Sequence, residues 1–68
     1  MVGTIVNEIF VLGGAAAAEQ FALERGRLEM AEKIRWGEFH SQRKGFGPER
    51  ARARAEALVW LARHKRAA

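Results

Sequence analysis

Residues 47–66, GPERARARAEALVWLARHKR, constrain this chain more than any other stretch. Pro48 follows Gly47, and proline suits the first position of a helix, where its missing N–H would go unused. Glu49 lies at the positive end of the helix dipole, and Arg63, Lys65 and Arg66 lie at the negative end. No Gly or Pro occurs after Pro48, and five alanines among Arg, Glu and Leu raise the intrinsic helix propensity. These features predict a helix from Pro48 to Arg66.

Its apolar residues fall on two seams. Ala51, Ala55, Leu58 and Ala62 follow the i, i+4, i+7, i+11 spacing, and so do Ala53, Ala57, Trp60 and His64. At about 100° per residue the seams lie on opposite sides of the helix, with arginines on the flanks. A helix that is apolar on two sides requires two neighbours.

The rest of the chain offers little to pack on them. At 68 residues it forms one small domain, spanning 1–68. Thirteen of its apolar residues are Ala, and eight of the twenty larger ones fall in the first twelve positions. There is no Cys, hence no disulfide and no thiolate metal site.

In Met1–Leu12, MVGTIVNEIFVL, Ile5, Ile9 and Leu12 fit one helical stripe, and Val6, Phe10 and Gly14 fit another. A helical segment over about 4–12 is expected. The region has no positive flank like that of a signal peptide, and Glu8 interrupts its apolar run. At Gly13-Gly14 two outcomes are open: a helix break, or close approach of two backbones. Ala15–Trp36 is read as one long helix, with Leu23, Met30 and Ile34 on one line and Phe21, Leu28, Ala31 and Arg35 on the next. Gly26 is its weak point, and Gly37 suits the position just past its end. Residues 37–47, GEFHSQRKGFG, form a loop whose Phe39 and Phe46 anchor it to the helices.

The expected fold is therefore all-α: a hairpin of main helices 15–36 and 48–66, with the apolar N-terminal segment extending the first or standing alone. Completion by oligomerisation or by a partner is expected. The interface falls to Ile5, Ile9, Phe10 and Leu12 of the N-terminal segment and to Ala53, Ala57, Trp60 and His64 of the second seam.

No catalytic set is present. The chain lacks Asp and Tyr, and His40 beside Ser41 is not a base–nucleophile pair by sequence alone. His40 and His64 lack neighbours that would complete a metal site. Lys44-Gly45-Phe46-Gly47-Pro48 does not match a phosphate-binding P-loop. The expectation is a non-enzymatic protein with no cofactor and no small-molecule substrate.

Charge divides the chain. Residues 1–34 carry three basic and five acidic side chains, and residues 35–68 carry nine and three. The basic half favours an anionic partner. Three readings follow. In the first, the chain is a structural or accessory subunit that oligomerises or docks on protein through its apolar helix faces. It would be intracellular, in the cytoplasm or within an assembly such as a virion. In the second, Arg43, Lys44, Arg50, Arg52, Arg54, Arg63, Lys65 and Arg66 contact nucleic-acid phosphates. The basic helix nonetheless carries almost no base-reading Asn or Gln. In the third, residues 4–23 cross a membrane with Arg25 and Arg27 on the cytoplasmic side, at the expense of placing Asn7, Glu8, Glu19 and Gln20 in hydrocarbon.

Overall fold

The computed structural model describes residues 2–42 and 47–65, with Lys65 described by its backbone only. Four helices appear in order: α1 (Val2–Gly13), α2 (Ala15–Glu24), α3 (Leu28–Arg35) and α4 (Pro48–Lys65). The fold is all-α as expected, and no strand occurs among the described residues. The arrangement of the helices differs from a simple hairpin.

The central element is α1. It packs against both α4 and α2, while α3 folds back onto α2. Six consecutive residues, Thr4 to Ile9, are buried. Burial on every side of a helix requires neighbours all round it. Ile5, Val6 and Ile9 meet Ala18, Phe21 and Ala22 of α2, Ala31 and Ile34 of α3, and Ala53 and Ala57 of α4 in one apolar core. Phe39 closes the edge of this core, its ring 5.1 Å from that of Phe10. The expected anchoring role of Phe39 is thus realised, while Phe46 lies outside the described residues.

The long helix expected over 15–36 is two helices. Gly26 has φ 72°, a left-handed conformation that costs an L-residue with a Cβ about 1–2 kcal/mol. Its N–H donates to Leu23 O, and the Arg27 N–H donates to Ala22 O at 2.8 Å. This pair of bonds is a Schellman motif, which satisfies the last carbonyls of α2 and stops it. Gly37 repeats the device after α3: its N–H donates to Ile34 O and the Glu38 N–H donates to Lys33 O. The reversal at Gly26 changes which side chains share a face. Phe21, Ala31 and Ile34 turn into the core, while Leu23 and Leu28 are left 47% and 64% exposed.

Of the two outcomes open at Gly13-Gly14, the helix break occurs, at Gly14. Gly14, at φ 93° and ψ 174°, separates α1 from α2 in a conformation nearly restricted to glycine. Gly13 is the last residue of α1, and a Cβ there would lie 2.6 Å from Leu61 Cδ2 of α4. A side chain at Gly13 would therefore have to displace the tip of Leu61.

On α4 the seams take opposite roles. Ala53 and Ala57 are buried and Trp60 and His64 half-buried, facing α1 and α2. Ala51, Ala55, Leu58 and Ala62 face outward. The seam expected to await a partner is the one that closes the core, because α1, rather than the 15–36 segment alone, supplies its counterpart.

Candidate docking interface

Two of the arginines assigned to an anionic partner point inward. On α1, Thr4, Asn7 and Glu8 follow i, i+3, i+4 spacing and form a polar strip within an otherwise apolar helix. Arg50 and Arg54, one turn apart on α4, face it. Arg50 Nε donates to Glu8 Oε2 at 3.1 Å and Arg54 Nε donates to Oε1 at 3.2 Å. The Glu8 side chain is fully buried, whereas those of Arg50 and Arg54 are 18% and 50% exposed.

Asn7 extends the cluster. Its Nδ2 donates to Glu8 Oε2 at 3.1 Å and to Gln42 O at 2.8 Å, and its Oδ1 accepts the Gln42 N–H at 2.7 Å. Arg50 also donates to Gln42 O. Thr4 Oγ1 donates to Glu49 Oε2 at 3.3 Å. No buried side-chain nitrogen or oxygen among the described residues lacks a partner. The cluster ties α1, the loop before α4 and the first turns of α4 together, and its components serve structure. Its signal lies in the sequence: three polar residues at helical spacing inside an apolar run, and two arginines four apart.

A second cluster joins the other end of α4 to α2. Trp60 Nε1 donates to Glu24 Oε1 at 3.1 Å, and His64 Nε2 lies 3.3 Å from Glu24 Oε2. The imidazole stacks on the indole with centroids 3.8 Å apart, and Nδ1 lies 2.8 Å from Trp60 O. The rings of Phe21 and Trp60 meet edge to face with centroids 5.4 Å apart, and the Arg25 guanidinium covers Phe21 at 4.6 Å. The indole N–H bond, with a smaller contribution from the nearby His64, holds the Glu24 carboxyl below its ordinary value of 4.5, against an opposing effect of desolvation.

The residues expected to meet a partner divide accordingly. Ile5, Ile9, Ala53 and Ala57 are buried in the chain's own core. Phe10, Trp60 and His64 are half-buried against neighbours in the same chain, and Leu12 is 42% exposed. Leu12 and the Trp60–His64 pair border an open groove of about 440 Å³, floored by Gly13, Ala16, Ala17 and Leu61.

Of the cationic set, Arg50 and Arg54 bind Glu8, and Arg52 and Arg63 are exposed. Neither Arg52 nor Arg63 forms an ion pair among the described residues. Arg43, Lys44, Arg66 and the Lys65 side chain lie outside the described residues. No described helix is long and apolar enough to cross a membrane. The segment proposed to span, 4–23, is broken at Gly14, and it buries Asn7 and Glu8 against α4 and the loop.

What remains on the surface is apolar in several places. Leu23 and Leu28 border a shallow groove between α2 and α3. Trp36 is 71% exposed just past α3, and Leu58 and Val59 are each about half exposed on the outer side of α4. No family model, curated protein or solved structure matches the chain.

Proposed function

We propose that this chain is a non-enzymatic docking subunit, which joins a larger protein assembly through apolar helix surfaces left outside its own core. The observation that carries this reading is the exposure of Leu23, Leu28, Trp36, Leu58 and Val59 on a chain whose core is otherwise closed. Apolar residues that gather on particular faces, rather than being scattered singly, mark interaction surfaces. The nucleic-acid reading draws less support, because the Arg50 and Arg54 guanidiniums already serve Glu8. A catalytic role draws none from the polar clusters, whose groups bond to one another.

The test uses the chain in its native cells. Gently lysed extract, separated by size, should carry the chain at a mass well above its own 7.6 kDa. A variant carrying Leu23→Glu, Leu28→Glu and Leu58→Glu alters exposed positions only, so it should fold but elute as the free chain. Elution of the native chain at its monomer mass would sink the proposal.

A further inference from the structure

We infer that the outer face of α4 is a docking surface for an acidic amphipathic helix of another protein. The inference rests on the docking reading above and names the surface and the chemistry of its partner.

Ala51, Ala55, Leu58 and Ala62 all face solvent, spaced four, three and four residues apart. That is the alternation of the seam positions in a helix that pairs with a second helix. Leu58 and Val59, each about half exposed, supply the larger apolar groups. The alanines alone would define nothing; the charges beside them do. Arg52 and Arg63, both exposed, flank the seam on one side; on the other, Arg54 gives its Nε to Glu8 and leaves half of its side chain exposed. The one acid on this face, Glu56, lies 3.9 Å from Arg25. An apolar strip bordered by the cations Arg52 and Arg63 is complementary to an apolar strip bordered by carboxylates. Arg52 and Arg63 stand eleven residues apart, about 16 Å along the axis, so they match carboxylates about three turns apart on the partner.

Other occupants fit less well. A lipid surface requires large apolar groups to insert, and only Leu58 and Val59 exceed alanine here. Nucleic acid would leave the seam with nothing apolar to bury against. A second copy of this chain presents a mixed surface instead: on α2, Glu19 accepts from Arg35 at 3.1 Å and Glu24 is held by Trp60 and His64, and on α3 the exposed Glu29 and Glu32 share the helix with Lys33 and Arg35.

The test titrates the isotopically labelled full chain with a synthetic helical peptide of about three heptads, Leu and Ala on its seam and Glu beside it. A twin peptide with Lys for Glu, phosphatidylserine vesicles and a DNA duplex serve as rivals. The acidic peptide should shift backbone amide signals within 51–63 and bind about tenfold or more tightly than its twin at low salt. Arg52→Glu combined with Arg63→Glu should leave the chain folded, with a small loss of helicity confined to the end of α4, and reverse the preference toward the Lys peptide. Only direct pairing across this face predicts that reversal. Equal affinity for both peptides, shifts centred on Leu23, Leu28 and Trp36, or tighter binding to vesicles or DNA would each overturn the inference. Absence of binding to the acidic peptide, with the native chain still eluting at high mass, would remove this surface and leave the docking reading intact.

Discussion

A carboxylate taken out of water needs acceptor–donor contacts on both oxygens, and Glu8 has them. Arg54 serves Oε1, while Arg50 and Asn7 serve Oε2. This geometry makes Glu8→Gln a severe change despite its matching shape. Whichever way the amide is turned, its NH2 faces a guanidinium N–H, so one bond becomes a donor–donor contact and the ionic attraction is lost. A loss of about 2–3 kcal/mol is expected, read from the urea midpoint, with Arg54's partial exposure limiting the damage. Glu56→Gln, on the exposed face, should change the midpoint by no more than about 0.5 kcal/mol. Equal effects of the two substitutions would show that Glu8 is not held as described. Asn7 makes a separate contribution, as it fixes the backbone of Gln42 from both sides. Asn7→Ala should speed amide exchange at Gln42 by about tenfold, the worth of one hydrogen bond, while exchange within α2 is unchanged. Glu8 was legible as an interruption of the apolar run. Its partner was not, because nothing local says that residues more than forty positions away on α4 will lie beside it.

At the scale of helices, the last one was legible almost to the residue, because proline and the charged ends mark it locally. The stop at Gly26 is not legible, for a specific reason. The helical periodicity of apolar residues persists on both sides of Gly26, and a Schellman stop shows only as a glycine that could equally be tolerated mid-helix. The two possibilities predict opposite signs for one substitution. In an unbroken helix Gly26→Ala would stabilise by about 1 kcal/mol. At φ 72°, with nothing within 4 Å of the added Cβ, it should destabilise by about 1–2 kcal/mol through backbone strain alone. Thermal unfolding of this single variant decides between them. A second helix-level prediction concerns the tie between α2 and α4. The Glu24 carboxyl is held below its ordinary value of 4.5 in the folded chain, chiefly by the Trp60 N–H. It therefore adds stability at pH above about 4.5, and that contribution fades as pH falls through the lowered value. The native chain should lose more stability between pH 6 and pH 3 than Glu24→Gln does. Parallel pH profiles for the two would show that the contact adds nothing to folding.

The whole molecule has a radius of gyration of 11.1 Å, matching the roughly 11 Å expected of a self-contained domain of this length. Compactness does not make it robust. Of the ten buried apolar residues among those described, five are alanine, which leaves Ile5, Val6, Ile9, Phe21 and Ile34 as the larger core groups. Six large apolar side chains among the described residues are more than 40% exposed, so the core holds fewer of them than the surface does. A chain of this size has a stability of only about 3–10 kcal/mol, so a partner that covers part of that surface changes the balance visibly. The form of the change depends on what the partner is. Self-association makes the melting temperature rise with the chain's own concentration, whereas docking on a different protein leaves it constant until that protein is added. With the acidic residues of α2 engaged internally, those of α3 sharing their helix with Lys33 and Arg35, and the outer face of α4 basic, the second behaviour is expected. Melting should be independent of concentration over about a hundredfold range. An acidic helical peptide present at about a hundred times its dissociation constant should contribute about 2.7 kcal/mol and raise the midpoint by roughly 10–20 °C. If the midpoint instead rises with the chain's own concentration, the exposed leucines serve contacts between copies, and the basic face of α4 must find its acids on a second copy rather than on a different protein.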